Sequence, residues 1–288
     1  MEYFIHLGVL FVIYAGLAMS LDLIVGYTGL LSVTHAAFYG IGAYTTAILM
    51  TVYGVNFFPA LLAGIVVASV LALLIGLVMS RFKDDYYALV SFGFNIIVFS
   101  IFLNWQDVTR GPLGIPGIGK PVLFGFTFNT TFQFLILATV LMAIVYAASR
   151  FIVKSSFGRV LKAIREDEKA IAVFGYNTQV YKLVIFVIGA GMAAIAGGLF
   201  ASYITFIDPS TFTLNESIFI LAMIILGGLA NVRGAVLGAL FLILLPETLR
   251  FVGFPTDIAA QMRQVVYGAL LIALMLYRPQ GVLGEYKL

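Results

Sequence analysis

Residues 132–148 of the chain read FQFLILATVLMAIVYAA, an apolar run without a charged residue. A helix crosses the hydrocarbon core of a bilayer with about 20 such residues, so this run with its neighbours predicts a membrane-spanning helix. The whole chain has the same character, because 62% of its 288 residues are hydrophobic and 10% are charged. Soluble domains contain about 45–50% hydrophobic residues and about 25% charged residues. Disordered chains combine low hydrophobicity with high charge. The composition therefore excludes both classes.

Similar runs recur along the chain and predict an all-α fold, a polytopic transmembrane helical bundle of eight or nine spans with broken or re-entrant segments. Residues 214–252 form either two spans joined by a tight turn or a broken re-entrant hairpin, because glycines and polar residues interrupt them. Little chain is left outside the spans, so residues 1–288 are expected to form one transmembrane domain. The predicted spans are 4–25, 33–53, 58–80, 86–104, 132–150, 180–201, 214–230, 234–252 and 262–278.

Basic residues cluster between the predicted fifth and sixth spans, at residues 150–182. Cytoplasmic loops of membrane proteins carry the excess of Lys and Arg, so this stretch is expected in the cytoplasm. With nine spans, the N-terminus then lies outside and the C-terminus inside, and the Gly- and Pro-rich loop at 105–131 is external. The basic residues of the stretch are Arg150, Lys154, Arg159, Lys162, Arg165, Lys169 and Lys182.

A short capped helix is predicted inside this cytoplasmic stretch, over residues 167–175. Asp167 suits the N-cap, since its carboxylate can accept from free N–H groups of the first turn. Gly175 suits the left-handed position after the last turn. A helix of two turns is unstable alone in water, so its apolar residues are expected to dock, either on lipid headgroups or on a partner protein. These apolar residues are Ile171, Val173 and Phe174.

Residues 26–44, GYTGLLSVTHAAFYGIGAY, combine glycines with hydroxyl side chains. Such a segment is either a broken helix that lines a pathway or a tight helix crossing. His35 either titrates or is hydrogen-bonded between helices, and Ser91 and Asn95 either bind a solute or join helices. Asp22 and Glu216 lie near span ends, where a carboxylate is either functional or simply solvated. The candidates for a translocation pathway are Gly29, Ser32, His35, Tyr44, Ser91, Asn95 and Glu216.

Two eight-residue segments resemble each other, GLLSVTHA at 29–36 and GLANVRGA at 228–235. Internal repeats are common in transporters, and chance is the other explanation.

Residues 114–120 have the spacing of a phosphate-binding loop, but Pro121 stands where Ser or Thr should hold Mg²⁺. The chain contains no cysteine and no convergent set of catalytic side chains. We therefore expect no nucleotide, metal or catalytic site in this chain, and no nucleic acid partner.

Several short motifs, spread over nearly the whole chain, together resemble one known family. They are LIVGYTGLLS at 23–32, HAAF at 35–38, GPLGI at 111–115, SFGR at 156–159, AIREDE at 163–168, GYN at 175–177, YK at 181–182, LGGL at 226–229, GAVLGA at 234–239 and RPQG at 278–281. The family is the membrane-spanning permease of bacterial branched-chain amino acid ABC importers, in its M-type subunit.

The resemblance implies one permease domain over residues 1–288, with a cytoplasmic coupling loop at 150–182 that fits an ATP-binding subunit. Importers of this class carry there a Glu-Ala-Ala motif followed by Gly. Here the run is Glu168, Lys169 and Ala170, and Gly175 follows Glu168 by seven positions instead of six. The residues implied in coupling are Arg159, Arg165, Glu166, Asp167, Glu168, Ala170, Ile171, Phe174, Gly175 and Asn177.

The resemblance also implies the assembly and its place in the cell. A second permease subunit would complete a hetero- or homodimeric pore, two ATP-binding subunits would bind ATP and Mg²⁺, and an external binding protein would deliver the substrate. The chain would span the bacterial cytoplasmic (inner) membrane and would not itself be an enzyme. Its substrates would be branched-chain amino acids or related small solutes. The alternative is a secondary carrier or channel that works alone, which would not need a docked cytosolic helix.

Overall fold

The computed structural model describes residues 2–82, 84–123 and 125–251, and then 265, 268–269, 272, 276–277 and 280–284. The predicted span at 262–278 therefore lies mostly outside the described residues. Helices dominate the rest, because a chain in lipid must satisfy its backbone polar groups internally. The α-helices are α1 Glu2–Thr28, α2 His35–Thr51, α3 Phe57–Met79, α4 Asp84–Asn104, α5 Gln106–Thr109, α6 Thr131–Lys154, α7 Ser156–Glu166, α8 Glu168–Val173, α9 Thr178–Ile204, α10 Leu214–Gly227 and α11 Val232–Phe251.

Five of the described helices, α1, α3, α4, α6 and α9, are long and apolar enough to cross a membrane. The pair α10 and α11 adds a sixth span if it is counted as one, and its two helices are bent by 118° at residues 228–231. The predicted polytopic helical protein is confirmed, but the described residues do not reach eight or nine spans. One reason is α2, which was predicted over 33–53 and has only 17 residues.

Two long helices, α1 and α9, form the centre of the molecule. In their most apolar windows 72% and 67% of the residues are buried, whereas the share is 28% in α3, α4 and α6. Small residues let the central helices approach closely, as is usual in membranes. A Cβ atom added to Gly197 of α9 would lie 2.1 Å from the backbone oxygen of Tyr39 in α2. The less buried helices keep one apolar face on the outside of the bundle.

The loop predicted at 105–131 is a small structured region rather than a span. Strand β1, Ile115–Pro116, pairs antiparallel with β4, Phe206–Ile207, and β2, Val122–Leu123, pairs with β3, Phe126–Thr127. Gly114 is in the left-handed region with φ of 67°, and a Cβ there would lie 2.4 Å from the Ile207 oxygen. The loop therefore joins the segment that follows α9. Short 3-10 turns, Gly111–Leu113 and Pro209–Phe212, complete this end of the molecule.

Candidate functional site

Helix α2 begins inside the bundle after an irregular segment at residues 29–34. Two side chains of α4 bind this segment. The Val33 N–H donates to Ser91 Oγ at 3.0 Å, and Asn95 Nδ2 donates to the Val33 oxygen at 3.1 Å. Backbone groups at membrane depth need such partners because lipid offers none. The irregular start of α2 explains why this helix is shorter than predicted.

A serine of α10 closes the same network from the other side. Ser217 Oγ accepts from the Ala36 N–H at 2.9 Å and from Asn95 Nδ2 at 3.0 Å. The Ala36 N–H is one of the first-turn donors that a helix cannot satisfy within itself. Asn95 and Ser217 are 1% and 0% exposed. Helices α2, α4 and α10 therefore meet at a buried set of polar contacts.

His35, the first residue of α2, is 1% exposed and lies 2.7 Å from Ser20 of α1, measured from Nε2 to Oγ. The Ser20 hydroxyl donates to the Leu17 oxygen at 2.8 Å, so its oxygen is available to accept from the histidine. This arrangement favours the tautomer with the hydrogen on Nε2. It corresponds to the alternative in which His35 is hydrogen-bonded between helices.

Glu216 lies in the first turn of α10, close to two tyrosines. The Tyr14 hydroxyl is hydrogen-bonded to the Glu216 carboxyl, and Tyr39 of α2 interacts electrostatically with both residues. Glu216 Oε1 is buried, so the alternative of a simply solvated carboxylate does not hold. The same is true of Asp22, which is 0% exposed and accepts from the Ala230 N–H at 2.9 Å. We call Tyr14, Tyr39, Asn95, Glu216 and Ser217 the polar cluster.

The predicted pathway residues fall into three places. Ser91, Asn95 and Glu216 lie in or next to the polar cluster. Ser32 and His35 lie at the start of α2, where Ser32 Oγ is 3.0 Å from Thr34 Oγ1. The remaining two lie elsewhere. Tyr44 is further along α2, where its ring stacks on Phe102 with centroids 4.5 Å apart, and Gly29 faces Arg165.

The predicted short helix in the cytoplasmic stretch is present as α8, and both predicted caps are confirmed. Asp167 Oδ1 accepts from the Ala170 N–H at 2.9 Å. Gly175 follows the helix with φ of +89°. Asn177 then caps α9, since its side chain accepts from the Val180 N–H at 3.3 Å. Asp167 and Gly175 therefore cap the two ends of α8, and Asn177 caps the start of α9.

Glu168 anchors α8 to α9. Its Oε1 accepts from Lys182 Nζ at 2.7 Å and from Thr178 Oγ1 at 2.8 Å. Lys182 is only 7% exposed, so its charge needs this partner. The other end of α8 projects outward, because Val173 and Phe174 are 87% and 78% exposed. The third predicted docking residue, Ile171, is half-buried.

Helix α7, which the sequence analysis did not predict, connects this loop to the membrane helices. Its residues Leu161 and Ile164 are buried. Arg165 donates to the Gly26 oxygen near the end of α1. Arg159 instead bonds locally, to Ser156 Oγ at 3.0 Å and to the Lys154 oxygen at the end of α6 at 3.3 Å, and Glu166 is exposed. Of the predicted coupling residues, Arg165 therefore reaches furthest into the bundle.

The two similar segments at 29–36 and 228–235 occupy comparable places. Each contains a non-helical break between two helices, at 29–34 and 228–231, and each break lies against the end of α1. The internal repeat stays a prediction.

Sequence reasoning missed three members of the polar cluster, Tyr14, Tyr39 and Ser217. The tyrosines occur among many aromatic residues of apolar spans, so nothing in their pattern marked them. Ser217 did carry a signal, because it follows a carboxylate at the start of an apolar helix.

The chain is similar to known transport proteins over nearly all of its length. The family described as "Branched-chain amino acid transport system / permease component" matches residues 3–275. The chain is 33% identical to the LivM permease protein of the Escherichia coli K12 high-affinity branched-chain amino acid transport system, over 97% of this chain and 69% of that protein. It is 31% identical to the LivH permease protein of the same organism, over 94% of this chain and 91% of that protein. No solved structure is significantly similar.

A third relative extends this comparison. The probable branched-chain amino acid transport permease LivM of Methanocaldococcus jannaschii is 25% identical over 78% of this chain and 68% of that protein. The family match, the LivM relatives and the apolar helices agree with the resemblance found in the sequence. The protein is thus a multi-pass membrane permease, and the chain belongs to the family of branched-chain amino acid transport system permease components.

Proposed function

We propose that this chain is one of two permease subunits of an ATP-driven importer of branched-chain amino acids. Two cytosolic ATP-binding subunits would hold ATP and Mg²⁺, and an external binding protein would deliver the substrate. The importer would lie in the bacterial cytoplasmic membrane. The chain would cross it eight or nine times, with the N-terminus outside and the C-terminus inside in the nine-span case.

The observation that carries this proposal is the form of α8. This helix is fixed at one end by Glu168 and Lys182, and it presents Val173 and Phe174 at the other. Burying a side chain of this kind contributes about 1.5–3 kcal/mol, so leaving two of them exposed suggests a partner. A two-turn helix is unstable alone, which explains why the chain anchors it so firmly.

A cleft beside α8 favours a protein partner over lipid headgroups. Three consecutive acidic residues lie at the start of α8: Glu166 ends α7, Asp167 is the N-cap and Glu168 is the first residue of the helix. They line a cleft of about 680 Å³ beside it, together with Lys169, Tyr176 and Gln179. A cytosolic protein that fills this cleft and binds Phe174 fits these features better than lipid headgroups do.

The two relatives from Escherichia coli support a heteromeric pore. LivM and LivH are both named as permease proteins of the high-affinity branched-chain amino acid transport system. The chain is similar to each, at 33% and 31% identity. We infer that this chain takes the LivM position and pairs with a second chain of related fold.

A co-purification experiment tests the coupling proposal. The chain is purified from its native membranes in mild detergent, and its partners are identified by mass spectrometry. We expect ATP-binding subunits in the wild-type sample and about tenfold less of them with Phe174→Ser, because the docked ring is lost. The matched control is Phe151→Ser, since Phe151 is also 78% exposed but lies at the end of α6. A chain that purifies alone, or equal effects of both variants, would contradict the proposal.

A stand-alone proton-coupled carrier is the alternative, and the buried carboxyl of Glu216 is the observation that favours it. Uptake of labelled leucine distinguishes the two mechanisms. We expect uptake to stop when ATP is depleted with the proton gradient intact. Uptake that persists without ATP and stops when the gradient is collapsed would establish the alternative.

A further inference from the structure

Three buried side-chain atoms near the start of α2 and α10 have no hydrogen-bond partner among the described residues. They are Tyr39 Oη, Asn95 Oδ1 and Glu216 Oε1. Tyr39 and Asn95 are 0% and 1% exposed. A buried polar atom without a partner costs free energy that folding does not recover. Tyr39 interacts with Glu216, and Asn95 is bonded to the neighbouring Ser217, so the three residues belong to one cluster. Their open atoms suggest that a partner arrives from outside the chain.

The chemistry of the open atoms points to a hydrogen-bond donor. An ionised carboxylate and an amide oxygen only accept hydrogen bonds, and a phenol oxygen can also accept. Two nearby donors are already used. Asn95 Nδ2 donates to the Val33 oxygen and to Ser217 Oγ, and the Tyr14 hydroxyl is hydrogen-bonded to Glu216.

Aromatic rings surround the tyrosines of the polar cluster. The Tyr39 ring lies against Phe200 and Phe212, with centroids 5.5 and 5.1 Å away. The Tyr14 ring lies 5.7 Å from the Phe219 ring. A group with several N–H donors and an aliphatic body would satisfy both the oxygens and the rings. A carboxylate would instead be repelled by Glu216.

We propose that the polar cluster binds the ammonium group of the transported amino acid, through Glu216, Asn95 and Tyr39. An ammonium group has three donors and a positive charge, which matches the three open oxygens and the carboxylate. This inference rests on the proposed function and deepens it, because it assigns the substrate amino group to particular residues. Ser217 and Tyr14 act as positioning residues, since each holds one of the binding side chains.

The first test separates translocation from energy coupling. The complex with its partner subunits is reconstituted in proteoliposomes, and uptake of labelled L-leucine and ATP hydrolysis stimulated by the loaded binding protein are measured together. We expect Glu216→Gln to lower uptake by about tenfold or more, as for loss of a charged hydrogen bond, with stimulated hydrolysis close to wild type. Glu216→Asp should keep an intermediate rate, and Glu2→Gln, at the exposed start of α1, should have no effect.

The outcomes of this test are distinct. A wild-type complex without ATP-dependent uptake would refute the proposed function. A working wild type with an equally active Glu216→Gln would refute only the ammonium site. Loss of uptake and hydrolysis together in an assembled complex would assign Glu216 a structural role and also refute the site.

A second test examines which part of the substrate reaches the cluster. Glu216 in the purified complex is modified with dicyclohexylcarbodiimide and quantified by mass spectrometry. L-Leucine and 3-methylbutylamine, which is leucine without its carboxyl group, should protect Glu216. 4-Methylpentanoate, which lacks the amino group, should not. Equal protection by 4-methylpentanoate, or no protection by L-leucine and 3-methylbutylamine, would overturn the proposal.

Discussion

At the scale of single residues, Gly26 shows how little space the helix ends leave. A Cβ atom there would lie 2.0 Å from Asp22 Oδ1 and 2.6 Å from the backbone nitrogen of Ala230. The Gly26 oxygen also accepts from Arg165. The missing side chain therefore lets α1, the break before α11 and the end of α7 meet at one point.

We expect Gly26→Ala to destabilise the protein by about 1–3 kcal/mol, the usual effect of overpacking, because the Ala230 backbone cannot easily move. The matched control is Gly93→Ala in α4, where nothing lies within 4 Å of the added Cβ. There alanine should be neutral or slightly stabilising, as glycine is a poor helix former. Thermal unfolding followed by circular dichroism at 222 nm measures both. Equal midpoints for the two variants would show that the close contact does not matter.

At the scale of elements, α8 depends on its neighbours rather than on its own sequence. Its first turn is capped by Asp167, and its first residue, Glu168, is bonded to two side chains of α9. Because Lys182 is 7% exposed and Glu168 is 33% exposed, the ion pair is partly shielded from water. The helix is thus attached to α9 as one unit, so a push on its exposed end would be passed to the central helix.

We expect Glu168→Gln to loosen α8, since it leaves the buried ammonium of Lys182 without a negative partner. The cost should be about 1 kcal/mol, after allowance for the exposure of Glu168. Hydrogen–deuterium exchange with mass spectrometry should show faster exchange over residues 168–174. Glu166→Gln is the control, because Glu166 is exposed. If both variants exchanged alike, the anchor would have no role.

At the scale of the whole molecule, the structured connecting segments lie at two ends of the bundle, because α6 and α9 each run from one end to the other. The paired strands β1 and β4 join the loops at one end, and α7 and α8 form the other. The long apolar helices α1, α3, α4, α6 and α9 lie between them. The proposed orientation places the α8 end in the cytoplasm, in agreement with the basic residues at 150–182.

The absence of cysteine from the sequence makes this orientation easy to measure. Single cysteines are introduced at Leu113, which is 82% exposed, and at Ser156, which is exposed at the start of α7 and lies outside the proposed docking face. A membrane-impermeant maleimide should label Leu113→Cys in intact spheroplasts and Ser156→Cys only after permeabilisation. The reverse pattern would invert the proposed topology and, with it, the assignment of α8 to the cytosol.

The sequence by itself determined the local and one-dimensional features of this protein. The length and apolarity of its runs specify membrane-spanning helices, because lipid leaves few other options for the backbone. The caps of α8 could also be read directly, since Asp167 and Gly175 act on residues close to them in sequence. The predicted single domain and the span at 262–278 stay predictions.

Only the tertiary structure decided the polar cluster and the short form of α2. The bond from Ala36 to Ser217 joins residues 181 positions apart, and that from Asn95 to Ser217 joins residues 122 apart. Periodicity reports which face of a helix is apolar, but it does not say which helix lies opposite. The backbone groups of Val33 and Ala36 can do without helical partners because side chains of α4 and α10 satisfy them. Those partners exist only once the helices have packed.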